Sequence, residues 1–177
     1  MRKMFVLCVI VVSLLISGFA YAEHHEAGEI AKAESAGPVT ITADATISTM
    51  DGEVLREGSN GWTCYSGNEV IGPMCNQPHW DALLGALMKK AEFTSTEFSV
   101  SYMLAGEGDA IGVSNSDPFA EDPTSRDDFV KEGPHLMITV PDPASFEGMS
   151  TDPADPVYVM WKGTPYAHIM VRVEEAE

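Results

Sequence analysis

The stretches HLMITV at 135–140 and YAHIMVRV at 166–173 decide how this chain is read. Both alternate, residue by residue, between aliphatic and other side chains. This is the period of a β-strand, in which successive side chains project to opposite faces. Working outward, residues 97–104 alternate in the same way, and so do residues 157–161. One face of the four strands reads Phe98/Val100/Tyr102/Leu104, Leu136/Ile138/Val140, Val157/Val159/Trp161 and Ala167/Ile169/Val171/Val173. By composition it is the expected core face. The opposite face carries Met103, then His135/Met137/Thr139, Tyr158/Met160, and Tyr166/His168/Met170/Arg172.

A cover for the aliphatic face stands between these strands and the amino terminus. Pro78 suits the first turn of a helix, and Trp80, Leu83, Leu84, Leu87 and Met88 follow at helical spacing, which predicts an amphipathic helix over about 78–91. Upstream, Val39, Ile41, Ala43, Ala45 and Ile47 alternate with threonine and serine, predicting a half-buried strand. Asp51-Gly52 and Asn60-Gly61 supply turns into short strands at 53–56 and 62–65. Residues 105–133, rich in Gly, Asp, Ser and Pro, form a long connecting loop of the kind that carries function. The expected fold is α+β: an antiparallel β-sheet with one packed amphipathic helix and one disulfide.

The amino terminus sets the compartment. Arg2 and Lys3 precede an apolar run from Met4 to Ile16, and Ala20-Tyr21-Ala22 ends the segment, the pattern of a cleavable signal peptide at 1–22. Residues 23–37 are small and charged, a flexible leader, and 38–175 form a single globular domain. The expected location is therefore outside the cytoplasm, in the periplasm or beyond the cell, with no membrane association after cleavage. Cleavage removes Arg2 and Lys3, making the formal charge of −17 more negative still. So acidic a chain repels nucleic acid. Cys64 and Cys75 remain, and an even pair in an oxidising compartment predicts a disulfide.

Two copper signals stand out. His-x-Met occurs at His135-Leu136-Met137 and at His168-Ile169-Met170, and imidazole with thioether suits copper, above all Cu(I). If the strands pair, His135, Met137, His168 and Met170 share a face and form a candidate metal set, with Met103 and Met160 as contributors. The same methionines also suit plain gap filling. After cleavage, Glu23-His24-His25 would put a histidine third from a free amine, an arrangement that encloses Cu(II).

Catalysis has weaker support. Asp117 with His135 or His168, alongside Ser114, Ser116 and His79, could supply a hydrolytic set, but no G-x-S-x-G, H-E-x-x-H or phosphate-binding loop accompanies them. Asp109, Asn115, Asp117, Asp122, Asp127 and Asp128 offer oxygens for calcium without the order of an EF-hand loop.

Several words recur in one order: DGEVLREGSNGWTC, PMC, SYML, SNSDPFA, GPHLM and VMWKGTPYAHIMV. With them the chain resembles a family of hypothetical exported bacterial proteins. The resemblance implies export and brings no activity. It draws attention to Trp62, Cys64, Cys75, Asp117, His135, Trp161, Tyr166 and His168. The acidic insert after SNSDPFA and the short GNEVIG disulfide loop depart from the family pattern, so a loop-based site would belong to this chain alone. The expected function is a non-enzymatic exported domain binding a ligand or protein partner. A copper-binding or copper-handling protein is the alternative, and a small hydrolase a further one.

Overall fold

The computed structural model describes residues 25–173. The expected signal peptide, and Glu23 and His24 of the expected Cu(II) terminus, lie outside the described residues. The architecture is α+β, built on an eight-stranded, mostly antiparallel sheet. Its strands are β1 (Thr46–Ser48), β2 (Val54–Arg56), β3 (Thr63–Tyr65), β4 (Met74–Asn76), β5 (Ser99–Met103), β8 (His135–Thr139), β9 (Val157–Met160) and β10 (His168–Arg172). Across the sheet they run β2-β1-β3-β4-β5-β8-β10-β9, with β1 and β3 the parallel pair. Two further strands, β6 (Val113–Ser114) and β7 (Phe129–Val130), pair separately inside the long loop. No helix among the described residues is long and apolar enough to cross a membrane.

Helix α3 (Pro78–Met88) begins with proline at its first position, as expected, and buries Trp80, Leu83, Leu84 and Leu87. Its amino end is tied to the sheet by the Ser99 hydroxyl, which accepts from the Trp80 N–H at 3.1 Å. Ser99 belongs to the histidine–methionine side of the sheet, so α3 lies on the face opposite to the one expected. Met74, Met103, Met137, Met160 and Met170 pack with Tyr158, Trp161 and the α3 residues in the main core. The loop segment carrying β6 and β7 adds Val130 and Val113 to the same core. On β5 and β8 the burial alternates in step: Ser99, Ser101, Met103, His135, Met137 and Thr139 are buried, while Val100, Tyr102, Leu136 and Ile138 are half-buried.

Among the described residues, the aliphatic face is covered at its two ends. At one end Ala33, Ala36, Ala45 and Ile47 surround the disulfide between Cys64 and Cys75, which are directly opposite each other on β3 and β4. At the other, the turn Pro143–Phe146 brings Phe146 onto Val140 and Val159.

Two amino-terminal expectations need correction. Residues 25–34, expected as part of a flexible leader, are helical (α1), and Ala33 and Ala36 are fully buried beside the cystines. Small residues, which argued against a core, are what let this helix approach the disulfide closely. The alternating stretch from Val39 is no strand before Thr46: Val39–Thr42 form a single helical turn (α2), with the N–H groups of Ile41 and Thr42 donating to the Pro38 carbonyl. Val39 is 75 % exposed, so no sheet surface exists there for the alternation to match. Tertiary context outweighs β propensity at such a corner.

Candidate functional site

The inward face of β5, β8, β10 and β9 builds the site. In register, Met103 lies opposite His135, Met137 opposite Met170, and His168 opposite Met160. Every member of the expected metal set therefore shares one face, and all are buried: His135 and His168 are each 1 % exposed. They line a cavity of ≈ 50 Å³ closed by α3 and by Val113 and Val130 of the long loop.

The register also corrects the expected grouping. His168 stands level with Thr139, four residues from His135, which is about 13 Å along the strand direction. Met137 and Met170 sit between the two histidines. By register the four residues are not one compact set, since each histidine has methionine neighbours of its own, although all four line the same cavity.

Both histidines are held by the same local device. The Nδ1 atom of His135 is 2.7 Å from the Gly133 carbonyl oxygen, and that of His168 is 2.9 Å from the Tyr166 carbonyl oxygen, each two residues upstream. A carbonyl only accepts, so Nδ1 carries the proton in each ring and Nε2 keeps a lone pair. Nε2 of His168 is buried and, among the described residues, has no hydrogen-bond partner. Trp80 and Trp161 flank that ring edge-on, with centroids 5.0 and 5.1 Å away. Burial in these surroundings drives its pKa down to about 4, against the lesser opposing pull of the Tyr166 carbonyl. Burial lowers His135 as well, partly offset by its Gly133 bond and by the Glu132 charge. Both imidazoles are neutral donors at physiological pH.

The end of the cavity near His135 is polar. Glu132 accepts from Arg172 through both carboxylate oxygens, at 2.9 and 3.0 Å, and from the Tyr158 hydroxyl at 2.8 Å. This network satisfies a buried carboxylate, as low-dielectric surroundings require. Burial, with Glu132 beside it, raises the Tyr158 hydroxyl. Burial likewise raises the Glu107 carboxyl, although Glu107 accepts the Gly72 N–H at 2.8 Å. That contact needs a bare backbone: a Cβ on Gly72 would come within 2.5 Å of the Gly106 oxygen. Glu107 also lines an outer groove with Glu29, Glu69 and Asp109.

Glu107 and Glu132 were not singled out from sequence, Trp80 was read only as part of the helix, and Trp161, expected on the aliphatic face, lies instead in the histidine–methionine core against His168. Among so many acidic residues, two glutamates in a loop read as solvated surface. One signal was available: Arg172 falls on the histidine–methionine face, and a charge at such a position calls for a buried partner.

The remaining sequence candidates lie elsewhere. Asp117 reaches neither histidine: its Oδ1 accepts the Phe119 N–H at 3.0 Å, and its Oδ2 is 3.9 Å from Arg126. Ser114 and Ser116 both donate to Asp128, which also accepts from Arg126. Desolvation works against ionisation of Asp128, and the serine hydrogen bonds outweigh it, holding the carboxyl well below the usual range. The surface groove that Ser116 and Asp128 line has no histidine in its wall. His79 is engaged by Ser95, Thr96 and Glu97. The calcium candidates are engaged otherwise: Asn115, Asp127 and Asp128 line one surface groove, but Asp117 and Asp128 face Arg126, Asp122 accepts from Thr124, and Asn115 donates to the Thr151 carbonyl. Among the described residues, no three His, Cys, Asp or Glu side chains converge as a metal set. Among the described residues lining the cavity, the thioethers of Met74, Met103, Met137, Met160 and Met170 outnumber its two carboxylates, Glu107 and Glu132.

Comparisons with protein-family models, with curated proteins and with solved structures return no match.

Proposed function

We propose that this chain is an exported, non-enzymatic binding protein whose ligand is Cu(I), held in the cavity between the sheet and α3. The observation that carries the reading is the buried, unpartnered Nε2 of His168 in a methionine-lined cavity. Leaving such an acceptor unsatisfied costs about 1–3 kcal/mol, so it calls for a partner that the described residues do not provide. Metal-bound imidazoles generally donate their other ring nitrogen to a carbonyl, as His168 does to Tyr166.

Size separates copper from an organic ligand. Sites for small organic molecules measure roughly 300–1,000 Å³, against ≈ 50 Å³ here. An ion that takes ligands from the cavity wall needs no more. Softness selects the metal: Met160 across from His168 and Met170 two residues along offer thioethers, which favour Cu(I) over harder ions. Export and an oxidising compartment accord with the Cys64–Cys75 disulfide.

The test is anaerobic Cu(I) titration of the mature protein against a chromogenic Cu(I) chelator, following Trp80 and Trp161 by fluorescence quenching. The expected result is competition with the chelator and quenching, both lost at the deep position in His168→Gln, a near-isosteric change. Failure of the wild-type protein to take copper from the chelator, with no quenching, overturns the reading. Unchanged quenching in a folded His168→Gln variant overturns it as well.

A further inference from the structure

The register contains a symmetry that one ion does not use. Across β5-β8-β10-β9 the inward histidines and methionines run Met103, His135/Met137, Met170/His168, Met160, with Met137 and Met170 directly opposed at the centre and Ser99, Ser101, Thr139, Tyr158 and Arg172 at the other inward positions. A local two-fold axis between Met137 and Met170 exchanges the two halves. Each histidine has a methionine two residues along its own strand and a second methionine directly opposite on the outer neighbouring strand. Each also has Nδ1 locked by the carbonyl two residues upstream, leaving Nε2 as the donor. Nothing in the fold as a whole demands this repetition, since β5 and β9 reach the sheet by unrelated connections.

Resting on the copper reading above, we propose that the cavity binds two Cu(I) ions. One is held by His168 with Met160 and Met170, and the other by His135 with Met103 and Met137. The backbone spacing of the histidines argues for two centres: for a single ion, two side chains whose backbones stand about 13 Å apart along the strands would both have to lean across the central methionine pair. The cavity of ≈ 50 Å³ suffices, because copper ions draw their donors from the wall and each is smaller than a water molecule, whose share of liquid volume is about 30 Å³.

The two centres are unequal. The His168 end is bounded by Trp80 and Trp161 and is apolar. The His135 end borders Glu132 and Glu107, and Glu107 also faces the carboxylate-lined outer groove. Glu132 is already paired with Arg172, so Glu107 is the carboxylate that would compensate a cation at His135; this end is also nearer the solvent, so its centre loads first and the deep centre second. Only the second step brings an ion against the tryptophans.

Copper per chain, measured by elemental analysis after anaerobic loading and chelator competition, decides the matter. Two ions in the wild type, one in His135→Gln, one in His168→Gln and none in the double variant is the expected result, with fluorescence quenching confined to the second equivalent. One ion in the wild type that persists in His135→Gln overturns the second centre and leaves the copper reading standing. One ion abolished by either single variant overturns it in favour of a shared centre. No ion in the wild type ends both readings. Because the wild-type stoichiometry is decisive by itself, loss of folding in a variant does not protect the proposal.

Discussion

The two faces of the sheet invert the ordinary relation between composition and burial. Along β10, His168 and Met170 are buried while Ile169 and Val171, the better hydrophobes, are half-buried. On β8 the same holds for His135 and Met137 against Leu136 and Ile138. The difference lies in what reaches each face. Helix α3 and the β6–β7 segment both settle on the histidine–methionine side, whereas the aliphatic side receives α1 and α2 at one end and the Pro143–Phe146 turn at the other. Burial here is decided by the cover. Unbranched, polarisable methionine fills the irregular space beneath a helix, and β-branched residues suit a pleated surface whether or not it is fully covered.

The sharpest way to break this comparison is to truncate neighbours on one strand. Met137→Ala should cost about 2–4 kcal/mol and Ile138→Ala about 1 kcal/mol, because only the first opens a void in a packed interior. Urea denaturation measures both. Equal costs, or a larger cost for Ile138, would remove the inversion.

Acid titration of the metal-free protein probes the same face through its charge. The His168 pKa of about 4 lies below its unfolded value near 6.5, so as pH falls the unfolded chain takes up this proton first. The stability associated with neutral His168 is full above about pH 6.5, is lost between 6.5 and 4, and changes no further below 4. The shift corresponds to about 3 kcal/mol. His168→Gln should flatten that part of the stability–pH curve, and an unaltered slope would mean that the ring is not held neutral.

On the aliphatic side the largest effect should come from the end covered by α1. Replacing both Cys64 and Cys75 by alanine should cost about 2–3 kcal/mol, given the short loop between them. It should also speed proteolysis within 25–37, where Ala33 and Ala36 rest against the cystines. The smallest effect is predicted at the centre of that face: Val171→Thr should change stability by less than about 1 kcal/mol. A loss of several kcal/mol there would reveal a cover that the described residues do not supply.

Much of this was legible in one dimension. The alternation in β5, β8, β9 and β10 and the spacing of Trp80, Leu83, Leu84 and Leu87 both correspond to elements of the structure, and so does the pairing of Cys64 with Cys75. The histidines and methionines of the candidate site were also legible, because a period of two assigns them to one face without knowledge of strand order. The stretch 25–47 was not. Alanine-rich and threonine-rich segments have weak preferences, and α1, α2 and the turn into β1 form where the disulfide offers a surface to pack on. Glu107, Glu132, Trp80 and Trp161 became part of the site only through contacts between segments distant in sequence.

By itself, then, the sequence determined which side chains share a face, because strand geometry is local and alternation follows from backbone stereochemistry. Tertiary structure alone decided which of the two faces became the interior, and how far apart along that interior His135 and His168 stand. Those outcomes depend on strand register and on where α3 and the long loop come to rest. Both are set by the free energy of the whole packed assembly, which no local pattern carries.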